Sequence, residues 1–151
     1  MTPVQAESLP ITLAGKDILA QAETGSGKTA AFGLRMLNTL DSKKYSTQSL
    51  VICPTRELAD QVSIEIRQLA KFMPNIKVLT LCGGKPLGAQ LNSLKRHPHI
   101  IVGTPGRILQ HLKKGSLNLK DTSTLVLDEA DRMLSMGFID DIEFIIQECP
   151  D

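Results

Sequence analysis

Ala22-Glu23-Thr24-Gly25-Ser26-Gly27-Lys28-Thr29 has the spacing of a loop that cradles phosphate and runs into a helix. Glycines let successive backbone N–H groups turn inward on a polyphosphate, and a helix N-terminus favours the negative charge. Gly25 and Gly27 meet that need, and the backbone of Thr24 and Ser26 completes the cradle. Lys28 would reach the β- and γ-phosphates as a point charge, and the Thr29 hydroxyl would ligate the magnesium ion (Mg2+) that accompanies them. Ala22 stands where the strict pattern has a glycine, the variant in which the strand runs one residue further before the loop turns.

A second group is the carboxylate pair Asp128-Glu129, which follows the apolar run Leu125-Val126-Leu127. Alone, such a pair reads as acidic residues at a helix start. Beside a phosphate loop it acquires a chemistry. Asp128 with Thr29 would supply the protein ligands of the magnesium ion, and Glu129 would orient or deprotonate a water attacking the γ-phosphate in line. A third group consists of polar or glycine-rich turns that follow apolar runs: Pro54-Thr55-Arg56, Gly83-Gly84 and Thr104-Pro105-Gly106-Arg107. Thr55 is a natural helix N-cap and Arg56 an ordinary surface cation, yet both could equally offer donors to a phosphate. Gly83-Gly84 permits either a tight turn or the close approach of another backbone. Gln5, in Thr2-Pro3-Val4-Gln5, either closes a capping box or pairs its amide with the N6/N7 edge of adenine.

The elements needed to position these groups can be read from periodicity. Strands are expected at 17–21, 50–53, 77–81, 100–102 and 125–129, each followed by a helical stretch. Ala31, Leu34, Leu37 and Leu40 are the expected inner stripe of the helix after the phosphate loop, and Leu58, Val62, Ile66 and Leu69 that of the next. Strand–helix alternation of this kind predicts an α/β fold, a parallel sheet with helices on both faces, in which ligands gather at the carboxyl ends of the strands. All three groups follow strand ends and would share that edge.

Composition narrows the partners. The 151 residues suffice for one domain, and a formal net charge of +1 excludes grip on nucleic acid by bulk electrostatics alone. With 3% aromatic residues and no Trp, the chain lacks a stacking platform for bases, so any nucleic acid would be held by its backbone. No apolar run approaches membrane-spanning length and no targeting segment is visible, so a cytoplasmic protein with no membrane partner is expected. Cys53, Cys82 and Cys149 are too dispersed for a metal site or disulfide framework and are expected to be buried free thiols. His97 and His99 flank Pro98 without a third ligand at suitable spacing, and are read as solvent-facing or helix-end residues.

In order, Thr2-Pro3-Val4-Gln5, Ala22 to Thr29, Pro54-Thr55-Arg56-Glu57-Leu58-Ala59, Gly83-Gly84, Thr104-Pro105-Gly106-Arg107 and Asp128-Glu129-Ala130-Asp131 resemble the N-terminal motifs of DEAD-box ATP-dependent RNA helicases. The resemblance spans almost the whole chain, and the intervening residues look closest to the bacterial DbpA group. It implies a RecA-like P-loop NTPase domain that binds ATP with magnesium. It also implies that the full-length protein opens short RNA duplexes by clamping and bending one strand, in ribosome assembly. In that family the position matching Gln5 reads adenine, and those matching Pro54, Thr55, Arg56, Gly83, Gly84, Thr104, Gly106 and Arg107 meet the RNA sugar-phosphate backbone. Asp131 would link the nucleotide site to a Ser-Ala-Thr motif.

Residues 1–151 would then be an incomplete N-terminal RecA-like domain. The Ser-Ala-Thr motif, the second RecA-like domain with its arginine fingers, and an aromatic residue upstream of Gln5 are absent from this sequence. On that reading the chain alone is a monomer that binds ATP weakly, hydrolyses it poorly and does not unwind RNA. Its partners would be RNA and the second RecA-like domain of the same protein. Two rivals belong to other classes: a P-loop motor acting on DNA or driving transport, and a scaffold that does not hydrolyse nucleotide.

Overall fold

The computed structural model describes residues 18–21 and 28–150, with side chains from Thr29 onward. Gln5, its capping-box neighbours and the loop residues 22–27 lie outside the described residues. Among the described residues five strands form one sheet: β1 (Ile18–Gln21), β2 (Ser49–Ile52), β3 (Val78–Leu81), β4 (Ile100–Gly103) and β5 (Thr124–Asp128). Their spatial order is β1-β5-β2-β4-β3, and every neighbouring pair is parallel. Among the described residues six helices follow the strands, the last two in succession: α1 (Lys28–Thr39), α2 (Arg56–Leu69), α3 (Leu87–Leu94), α4 (Pro105–Lys114), α5 (Ala130–Ser135) and α6 (Ile139–Gln147).

The strands are short apolar runs because both sides of the sheet are covered. Alternation along each strand then divides the side chains between two cores. Leu50, Ile52, Ile101, Leu125 and Leu127 pack with Ile108 of α4, Met133 of α5 and Ile142 and Ile145 of α6. Val51, Val102 and Val126 pack on the opposite face with Phe32 and Met36 of α1 and Val62 and Ile66 of α2. The expected parallel sheet with helices on both faces is therefore observed. Cys53, Cys82 and Cys149 are buried free thiols, as expected, and none of the described helices is long and apolar enough to cross a membrane.

Two local expectations are corrected. The inner face of α1 is formed by Thr29, Phe32, Met36 and Leu37, whereas Ala31 and Leu34 face outward. The larger side chains Phe32 and Met36, one turn apart, remove more apolar surface from water than Ala31 and Leu34 would, and the helix turns accordingly. His99 is fully buried, neither solvent-facing nor at a helix end. Its Nδ1 accepts the backbone N–H of Lys77 at 3.1 Å, and its Nε2 lies 3.1 Å from the carbonyl oxygen of Ser42. The partners assign the proton to Nε2. The imidazole thus ties the loop before β2 to the starts of β3 and β4.

Burial holds the His99 pKa below its ordinary value near 6.5, and Lys77 adds to the shift against the opposing Ser42 bond and Asp41 charge. A second proton would also set an Nδ1–H against the Lys77 N–H. Because the unfolded chain then binds the proton more readily than the folded one, this group costs no stability above the unfolded pKa and costs progressively more as pH falls below it. Urea unfolding midpoints are expected to decline from pH 7 to pH 5, with a slope of up to about 1.4 kcal/mol per pH unit from each such histidine. A His99→Asn variant, less stable at pH 7, should show a flatter acid decline. An unchanged slope would contradict this origin.

Candidate functional site

The register sets the strand ends side by side. Gln21 pairs with Asp128, Leu127 with Ile52, Ile52 with Gly103, and Gly103 with Leu81. At this edge Asp128-Glu129, Pro54-Thr55-Arg56, Thr104 to Arg107 and Gly83-Gly84 therefore stand in a fixed order beside the end of β1. The carboxylate pair and the polar or glycine-rich turns thus share this edge. Backbone bonds continue past the strands, from Cys53 N to Gly103 O at 2.8 Å and from Thr104 N to Leu81 O at 3.1 Å.

On the β1–β5 side, α1 begins at Lys28 immediately after the loop. Thr29 is buried in its first turn, and Asp128 is fully buried at the end of β5. A carboxylate buried to this degree is stable when a cation or hydrogen-bond donors face it. One carboxylate and one hydroxyl suit magnesium, which takes few protein oxygens and keeps the remainder for water and phosphate. No cluster of three or more His, Cys, Asp or Glu side chains occurs among the described residues, so an all-protein metal cage is not built there. Glu129 adopts φ 55° and ψ 53°, the left-handed region, and is nearly buried. That backbone costs a non-glycine residue about 1–2 kcal/mol, and such strain gathers at functional sites. Arg132 Nη1 stands 3.5 Å from Glu129 Oε1. Asp131 Oδ1 is buried and has no hydrogen-bond partner among the described residues.

On the β2–β4–β3 side, Pro54 is buried, and Thr55 caps α2 by accepting the Leu58 N–H at 3.2 Å. The cap reading of Thr55 thus holds, and Arg56 is half exposed beside it. Gly84 turns with φ +83°, and a Cβ there would lie 2.6 Å from Arg56 Nη1. Gly83-Gly84 is therefore both a turn and a place of close approach, the approach being that of the Arg56 guanidinium. Arg107 Nη1 donates to the Lys85 carbonyl at 3.1 Å and to Gln90 Oε1 at 2.9 Å. The Thr104 hydroxyl makes no bond to the start of α4.

Comparison with known proteins agrees with this arrangement. The family described as DEAD/DEAH box helicase matches residues 2–151. The chain belongs to the DEAD/DEAH box helicase family. It is 62% identical over 150 residues to the ATP-dependent RNA helicase DbpA of Escherichia coli (strain K12), covering 99% of this chain and 33% of the relative. It is 53% identical to the DEAD-box ATP-dependent RNA helicase CshA of Bacillus cereus, covering 99% of this chain and 28% of the relative. Among solved structures, a DEAD box protein from the hyperthermophile Methanococcus jannaschii superposes with a TM-score of 0.81 at 43% identity, over 97% of this chain and 40% of that one. The chain thus spans about a third or less of the length of these curated relatives.

Two residues of this DEAD-box domain escaped sequence reasoning. Gln90 and His111 are buried polar residues, and His111 Nε2 lies 2.9 Å from Gln90 Oε1. Gln90 is three residues after Leu87 and four before Leu94, and His111 three after Ile108. A polar residue inside an apolar helical stripe was the available signal. Burial, followed by the charges of Arg107 and Lys114, lowers the His111 pKa and keeps the imidazole neutral near pH 7. Cys82, at the same edge, has its pKa pushed up to about 11, chiefly by burial, so it remains a thiol and no nucleophile.

Proposed function

We propose that this chain supplies the ATP site and one RNA-gripping face of an ATP-dependent RNA helicase acting in the cytoplasm. The observation that carries this reading is the register of a single sheet edge, where the end of β1 pairs with Asp128 of β5 and the ends of β2, β4 and β3 follow in order beside them. Gln5 would read adenine, and Thr24, Gly25, Ser26, Gly27 and Lys28 would hold the phosphates of ATP. Thr29 and Asp128 would hold magnesium, which would neutralise charge on the phosphates of ATP. Glu129 would orient the attacking water and accept its proton, and Lys28 would offset the charge that develops.

RNA would meet Pro54, Thr55, Arg56, Gly83, Gly84, Thr104, Gly106 and Arg107 through its backbone. A side chain at Gly83 or Gly106 would touch nothing of the described protein within 4 Å, although both are exposed. The described packing does not itself require these glycines, and the close approach of a ligand backbone would. Because β5 is the neighbour of β2, Asp128 and Cys53 each directly follow the paired residues Leu127 and Ile52, and a shift at Asp128 would be passed toward the Pro54-Thr55-Arg56 turn through that pairing. Asp131 would couple the nucleotide site to a second RecA-like domain, and opening of a duplex would need both domains. Ribosomal RNA during ribosome assembly is the proposed setting. The test is whether RNA, and not DNA, raises ATP turnover by the full-length protein.

A further inference from the structure

We infer that Gln90 is a positioning residue that locks Arg107 to the turn carrying Gly83-Gly84, so that the RNA-facing loops are presented as one preformed surface. The inference rests on the RNA reading of Arg107 given above.

Gln90 is 5% exposed and uses both ends of its amide. Its Oε1 lies 2.9 Å from Arg107 Nη1 and 2.9 Å from His111 Nε2, and its Nε2 donates to the Cys82 carbonyl at 3.0 Å. An amide oxygen can only accept, so His111 carries its proton on Nε2. The other imidazole nitrogen, Nδ1, is 2.8 Å from Ser116 Oγ, which fixes the ring from behind. The amide thus joins three segments. Cys82 immediately precedes Gly83, Arg107 lies in the first turn of α4, and His111 stands one turn later on the same helix.

Two further contacts complete the frame: Arg107 Nη1 with the Lys85 carbonyl, and Arg56 packed on Gly84. The loops after β3 and β4 are therefore tied to one another before any ligand arrives, and Arg56 after β2 lies against the same glycine turn. Packing alone does not call for this arrangement. A leucine at position 90 would continue the stripe of Leu87, Leu91 and Leu94 without the cost of burying an amide. What the amide adds is an acceptor aimed at a guanidinium and a donor aimed at the strand end beside the glycine turn. An arginine held in advance loses less side-chain freedom when it meets a phosphate, which raises affinity without any added contact.

The test is a double-mutant cycle in the full-length protein, with Gln90→Ala, Arg107→Ala and both together. Binding of a labelled single-stranded RNA is followed by fluorescence anisotropy in the presence of a non-hydrolysable ATP analogue. Gln90→Ala is expected to weaken RNA binding about tenfold. Added to Arg107→Ala it should weaken binding no further, because Gln90 acts through Arg107. Affinity for the ATP analogue without RNA should not change. If Gln90→Ala does not fold, Gln90→Met, which fills the same volume, carries the same expectation.

Losses that simply multiply in the double variant would overturn the inference, as would Gln90 variants that bind RNA like the native protein. In both cases a weakened Arg107→Ala would leave the RNA reading standing. RNA binding unaffected by Arg107→Ala would instead overturn the RNA reading of Arg107 and this inference with it.

Discussion

Glu129→Gln in the full-length protein is expected to lower RNA-stimulated ATP turnover by about a thousandfold while leaving ATP binding within about twofold of native. Glutamine keeps the size of the side chain and its hydrogen-bonding reach but cannot accept a proton from water. The position is built for one conformation. Glu129 leaves β5 in the left-handed region at φ 55°, next to the buried Asp128, with its own side chain nearly buried. Glutamine faces the same backbone cost as glutamate, so the substitution isolates the chemistry from the strain. The Arg132 contact at 3.5 Å is half exposed on the arginine side, and its loss should shift the unfolding midpoint little. Single-turnover hydrolysis separates the outcomes. A variant that cleaves ATP at the native rate would remove Glu129 from the reaction, and one that no longer binds ATP would make its role structural.

Gly103→Ala is expected to destabilise the domain by about 3 kcal/mol, the upper range for overpacking a core. A Cβ on Gly103 would collide with the carbonyl oxygen of Leu81, and would also lie 3.0 Å and 3.1 Å from two side-chain carbons of Ile108. The Ile108 side chain can turn aside, but the Leu81 carbonyl cannot. It accepts the Thr104 N–H, the last bond before the chain enters Thr104-Pro105-Gly106-Arg107. Relief of the clash must therefore separate the ends of β3 and β4, which carry the Gly83-Gly84 turn and Arg107. The loss of stability should come with weakened RNA binding at temperatures where the variant is still folded. Urea unfolding measures the first effect and RNA titration the second. A native midpoint would mean that the two strand ends are less tightly fixed than their register indicates.

Much of this site was legible in the sequence because chemistry and local structure coincide at strand ends. The apolar runs 50–52, 100–102 and 125–127 each stop at residues that cannot continue a buried strand cheaply: Cys53-Pro54, Gly103-Thr104-Pro105 and Asp128-Glu129. Thr55 announced its cap by type and position. What periodicity could not supply was the spatial order of the strands. Nothing in the apolar pattern of β5 says that it lies between β1 and β2, yet that placement sets Asp128 against Gln21 and joins the two halves of the edge.

His99 was misjudged for a related reason. The Arg96-His97-Pro98 surroundings look like surface, whereas the imidazole is buried by partners 22 and 57 residues away in the chain. In α1 two apolar stripes overlapped, and size decided for Phe32 and Met36. The amide of Gln90 stood in plain view on an apolar face, but its meaning depends on Arg107, seventeen residues on.

In the proposed helicase one sheet edge would couple an ATP site to an RNA backbone site. ATP hydrolysis by the full-length protein, titrated with a single-stranded RNA and with DNA of the same sequence, tests it most directly. Saturable stimulation by RNA that DNA does not reproduce is expected. Equal stimulation by DNA, or turnover indifferent to both, would contradict it.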